Sequence, residues 1–131
     1  LDGGHHLVIL YPIPSVGWNL PEEFLRRFKN ADAQISIDEL RVNPITTSYE
    51  VYRQRTKSSF DLFDSVTHQN IHRVYPHQLF CDLEIKARCV THDTEFLYYY
   101  DDDHPSVKGA EMITSLLVDA VAIAGVELRS Q

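Results

Sequence analysis

The sequence predicts an α/β domain built around a short parallel sheet, on three observations. Leu7-Val8-Ile9-Leu10-Tyr11 is an unbroken apolar run bounded by glycines and prolines, the pattern of a strand covered on both faces. Ile71-His72-Arg73-Val74-Tyr75-Pro76 reads as a second strand, and two helical stretches separate it from the first. A strand, helices and a strand in that order make a parallel unit with a right-handed crossover. Residues 96–100, apolar and aromatic, read as a third strand leading into a long helix.

Each element has its own justification. The first strand exits through Tyr11-Pro12-Ile13-Pro14, where two prolines stop the ladder. Pro14 and Trp18 then lie on a loop at the strand's C-terminal end, where open α/β sheets place their ligand crevice. Trp18 is a candidate pocket wall there; packing into the core is the alternative. Pro21 suits the first turn of a helix, with Glu22 and Glu23 at its positive end. Residues 31–43 carry a weak alternation and read as loop. Thr47-Ser48-Tyr49-Glu50 has the capping-box pattern and opens a helix to about residue 68. Tyr49, Tyr52, Phe60, Phe63 and Val66 form its apolar stripe; Glu50, Arg53, Lys57, Asp61 and Asp64 form a solvated face. The final helix spans residues 107–124, with Gly125 as its stop.

Composition narrows the function. A chain of 131 residues is one domain, residues 1–131, with enough length for a core. Its net charge of −7 argues against a nucleic-acid or anionic-membrane surface. Residues 116–128 are the most apolar stretch, but Asp119, Gly125 and Glu127 interrupt it and it is too short to span a bilayer. Leu1-Asp2-Gly3-Gly4 does not read as a signal peptide, so the chain is expected to begin inside a longer polypeptide. Cys81 and Cys89 are spaced wrongly for a CxxC redox or zinc pair. Their spacing leaves two readings open: free thiols, or a staple across an irregular segment. Of the seven histidines, His5, His6, His68, His72, His77 and His92 show no HExxH pattern and no Cys/His cluster, and read as surface or strand-end residues. No metal and no cofactor is expected.

The chemistry concentrates in Tyr100-Asp101-Asp102-Asp103-His104-Pro105-Ser106. Pro105 keeps the helix from starting earlier, and Ser106 can cap it. Asp101 and His104, three apart on this loop, admit two readings. The acids can simply suit the helix dipole. Alternatively Asp101 accepts from His104 Nδ1–H, leaving Nε2 to take a proton from a nucleophile.

The segment Tyr100-Asp101-Asp102-Asp103-His104-Pro105-Ser106-Val107-Lys108-Gly109-Ala110 resembles the DxxH block of the SGNH/GDSL hydrolase superfamily. More narrowly, it resembles the SGNH domain fused to membrane O-acyltransferases that acetylate bacterial surface polysaccharides, with Pro105 where leucine is usual. The Pro12-Ile13-Pro14-Ser15-Val16-Gly17-Trp18 segment, Tyr52-Arg53-Gln54-Arg55 and the paired Cys81 and Cys89 resemble that branch in the same order. The resemblance implies a flavodoxin-like three-layer α/β/α sandwich and Ser-His-Asp acyl-ester chemistry. It implies His104 as general base, Asp101 as its orienter, and a Cys81–Cys89 disulfide. It further implies a periplasmic location, attached to a membrane protein, and an acyl-ester or polysaccharide substrate.

The departure is equally specific. The family's Gly-Asp-Ser nucleophile motif and its oxyanion-hole blocks have no match here. Ser15, Ser36, Ser48, Ser58, Ser59, Ser65, Ser106, Ser115 and Ser130 all lack that context. The chain thus resembles the C-terminal half of the domain. A missing N-terminal half, or a partner chain, is expected to cover the sheet edge beside residues 7–11. The alternative is a non-catalytic binding or assembly domain with the same fold.

Overall fold

A computed structural model describes residues 1, 3–28 and 35–129, with side chains to residue 126. The order is β1 (Leu7–Leu10), α1 (Leu20–Phe28), α2 (Ile37–Val42), β2 (Thr46–Ser48), α3 (Tyr49–Ser65), β3 (Ile71–Val74), a 3₁₀ turn (Pro76–Leu79), β4 (Arg88–Val90) and α4 (Val107–Arg129). β1 pairs with β3 in parallel, Leu7 opposite Ile71 and Leu10 opposite Val74, as the β–α–β reading expects. β2 and β4 form a separate antiparallel pair, with Thr47 opposite Cys89. α4 packs on β1 and β3. The core gathers Leu20, Phe28, Leu40, Ile45, Phe80, Tyr99 and Ile113 around the disulfide Cys81–Cys89. Both cysteines are buried, so the bridge is part of that core.

Several elements differ from expectation. Residues 96–100 form no strand; only isolated bridges, His92 to Leu97 and Tyr99 to Pro105, occur there. The backbone instead bonds its own flanks: Tyr98 N–H donates to Thr91 O and Tyr100 N–H to His104 O. Tyr98 and Tyr99 are buried while Phe96 and Tyr100 are exposed, so the run supplies core without extending the sheet. Within 31–43, α2 replaces the expected loop; residues 31–34 lie outside the described residues. Ser36 caps α2 by accepting from Glu39 N–H, and Leu40 is its buried anchor.

The cap of α3 is Ser48, the last residue of β2, which accepts from Val51 N–H. Asp64 is no mere solvated charge: it accepts from the hydroxyl of buried Tyr11 at 2.6 Å. Gly125 does not stop α4, which continues to Arg129. One glycine costs a helix only about 1 kcal/mol. The helix is therefore longer than the apolar stretch read from sequence, and Val107–Val126 would suffice in length and composition to cross a bilayer. In the fold its buried residues Gly109, Ile113, Ala120 and Ala124 turn one side toward the domain.

Candidate active site

The loop carrying Asp101 and His104 is fixed from both sides. Ser106 N–H donates to Tyr98 O, and its hydroxyl donates to Leu97 O at 2.7 Å. The same hydroxyl accepts from Gly109 N–H at 3.1 Å, so Ser106 caps α4 while tying down the loop. Gly109 is dictated by contact: a Cβ there would lie 2.2 Å from the Tyr98 carbonyl oxygen. From the opposite side, Asp102 O accepts from Val16 N–H at 2.7 Å and Gly17 N–H at 3.1 Å. Asp101 O accepts from Leu20 N–H at 3.3 Å. The loop after β1 is thereby bonded to the loop before α4.

Inside the loop, Asp101 Oδ1 accepts from His104 N–H at 2.8 Å and Asp103 N–H at 3.1 Å. Those two N–H groups, joined by the His104 side chain, pull the Asp101 carboxyl down to about 2. His104 Nδ1 lies 2.9 Å from Asp101 Oδ2 and 3.1 Å from Oδ1. An ionised carboxylate only accepts, so Nδ1 carries the proton and the neutral ring leaves Nε2 as the basic nitrogen. The bond to Asp101 and then its charge raise the His104 pKa above the ordinary imidazole value, with Asp103 adding to this. Asp103 Oδ1 also stands 2.9 Å from Nδ1, so this acid does more than suit the helix dipole. The imidazole is 73% exposed, and no hydroxyl bonds its Nε2 among the described residues. Asp101, Asp103 and His104 bring three ligand-type atoms within 4.8 Å. Those of Asp101 are already engaged by three N–H groups.

Residues 1–119 match the family described as the SGNH domain fused to AT3 domains. The chain belongs to that family. No curated protein and no solved structure matches it. Its parallel pair and flanking helices are thus part of an SGNH α/β fold in an acyltransferase context.

The SGNH domain distributes the other sequence candidates unevenly. Trp18 is 37% exposed and lines a cavity of about 270 Å³. Pro14, the second candidate wall, is fully buried and does not line that cavity, because the turn after Tyr11 folds it inward. Cys81 and Cys89 are joined. His92 is a correction to the surface reading: it is buried, and its Nε2 accepts from Ile45 N–H at 2.9 Å. Its Nδ1 then donates to Asp93 O at 2.7 Å, so both nitrogens are occupied structurally. His77 is half-buried among Tyr49, Tyr52, Phe60 and Tyr75, and burial pushes its pKa down. Sequence reading missed Arg55 and Arg88 in the Trp18 cavity. Arg55 stood in the Tyr52-Arg53-Gln54-Arg55 match; nothing in the sequence connects it with Arg88.

Proposed function

We propose that this SGNH domain serves an acyl-ester hydrolase or O-acyltransferase, with His104 as general base and Asp101 holding its tautomer. The observation that supports this most is the 2.9 Å approach of His104 Nδ1 to Asp101 Oδ2, with Nε2 left open. A serine hydroxyl needs an adjacent base to become nucleophilic, and the base needs a carboxylate to keep its free nitrogen aimed outward. Nε2 takes the serine proton as the acyl ester is attacked, then returns it to the leaving alcohol. For transfer, the same nitrogen deprotonates the acceptor hydroxyl. The family's fusion to AT3 domains favours transfer to a sugar hydroxyl of a bacterial surface polysaccharide, on the periplasmic side of the membrane.

The serine of this reading comes from polypeptide outside these residues. The strand carrying it would also extend the sheet: among the described residues β1 pairs only with β3, and Leu7 is 40% exposed. Parallel sheets rarely stand as an uncovered pair. A non-catalytic binding domain is the second reading, favoured by the absence of a hydroxyl at Nε2 among the described residues.

The test is p-nitrophenyl acetate hydrolysis by the polypeptide in which the domain naturally occurs. His104→Ala is expected to lower turnover by roughly 10²–10⁴-fold. Full activity in that variant would exclude His104 as the base.

A further inference from the structure

We infer that the cavity beside Trp18 is an anion subsite, taking the carboxylate or phosphate of an acidic acyl acceptor. Its place in the reaction rests on the acyl-transfer reading; the site itself does not. The argument starts from charge. The chain carries a net charge of −7, yet this cavity is lined by two arginines and no carboxylate. Arg55 projects from α3 and Arg88 from β4, with Ser15, Thr47 and Trp18 around them.

The two guanidinium groups are held differently. Arg88 donates from Nε to Thr46 Oγ1 at 2.9 Å and from Nη2 to Thr46 O at 2.7 Å. A guanidinium has five N–H donors, so three remain on a head group already fixed in place. Arg55 has no hydrogen bond or ion pair among the described residues. Its Nη1 lies over Gly17, where a Cβ would approach it to 3.3 Å. Gly17 also has φ +84°, so two separate constraints keep a side chain from that wall.

Two cations converging without a counter-ion repel each other, and an anion between them offsets that cost. Guanidinium matches carboxylate and phosphate through paired N–H bonds. The indole adds an apolar surface for a ring. A volume of about 270 Å³ suits one charged unit, not an extended chain. The cavity wall is also tied to the His104 loop, since Val16 and Gly17 N–H both donate to Asp102 O. An acceptor held by its anionic group thereby lies against the loop that is bonded to the turn carrying His104.

Trp18 is the single tryptophan of the chain, so its fluorescence reports occupancy directly. The chain is titrated at constant ionic strength with glucuronate, inorganic phosphate and methyl glucoside. A saturable change with either anion, but not with the neutral sugar, is expected. A tighter response to glucuronate assigns a uronic acid; a tighter response to phosphate assigns a phosphorylated acceptor. Arg55→Gln should weaken binding about tenfold or more. Arg53→Gln, an equal loss of charge on the same helix outside the cavity, should not. Equal weakening by both variants, an equal response to methyl glucoside, or no saturable response to either anion would overturn the inference. The readout needs no turnover, so the two readings fail separately: full esterase activity in His104→Ala of the polypeptide in which the domain naturally occurs would defeat the catalytic reading and leave this one standing.

Discussion

Two polar regions share one backbone bridge, the Asp102 carbonyl that accepts from Val16 and Gly17, and they are built in opposite ways. On one side, Asp101 and His104 meet within a single turn. Every bond that orients the pair comes from Asp101, Asp103 and His104 themselves. On the other side, Arg55 and Arg88 meet in one cavity only because α3 and β4 pack together. The acid–base pair is thus a local device that tertiary packing merely presents. The cation pair is a tertiary device with no local precursor. Damage to the fold should therefore affect the two unequally, while damage to the turn should affect only the first.

The largest effect is expected from Asp101→Asn. It removes the anion that holds Nδ1–H and should cut a His104-dependent rate by about 10²-fold or more. The sign of the pH effect follows from the raised His104 pKa. His104 stays protonated, and inactive as a base, to a higher pH than a free imidazole. The ascending limb of the pH–rate profile should then lie above about 6.5 and move down in Asp101→Asn. Asp101 itself stays ionised down to about 2, so it contributes no limb near neutrality. An NMR titration of His104 that did not move in Asp101→Asn would break the local account of this pair.

Reducing the Cys81–Cys89 bridge comes next. Closing so short a loop stabilises by roughly 2–3 kcal/mol in the chain-entropy model. Denaturant unfolding with and without reductant measures it, and intact mass shows whether two hydrogens are gained. Cys89 is the middle residue of β4, next to Arg88, so reduction should loosen the Arg88 side more than the His104 turn. Hydrogen exchange that opened both regions together would blur the contrast.

Gly109→Ala should cost about 1–3 kcal/mol, because its Cβ would overlap the Tyr98 carbonyl and force α4 off the loop. It tests the presentation of the turn without touching its chemistry. A thermal midpoint unchanged from the parent would show that the helix can shift freely.

The smallest effect separates two neighbours. Asp103→Asn should lower the His104 pKa slightly, since Asp103 Oδ1 faces Nδ1 at 2.9 Å. Asp102→Asn should change it less, since Asp102 acts here through its backbone carbonyl. Equal shifts in the two variants would show that only summed charge matters.

What the sequence by itself determined follows the same line. The parallel pairing of residues 7–10 with 71–74, the helix opening near Ser48 and the Asp101–His104 turn were legible. The pairing follows from the order of strand, helices and strand, and the other two depend on capping or spacing within a few residues. α2 was legible too, through Ser36 and Glu39, the signal that located α3, although that segment was read as loop. The expected strand at 96–100 failed for a different reason. An aromatic run records burial, not ladder partners, and the backbone of this one turned back on Thr91 and His104. Burial of Pro14 and His92 and the meeting of Arg55 with Arg88 were decided by tertiary structure alone. Those features depend on which distant surfaces pack together, and no spacing along the chain encodes that contact.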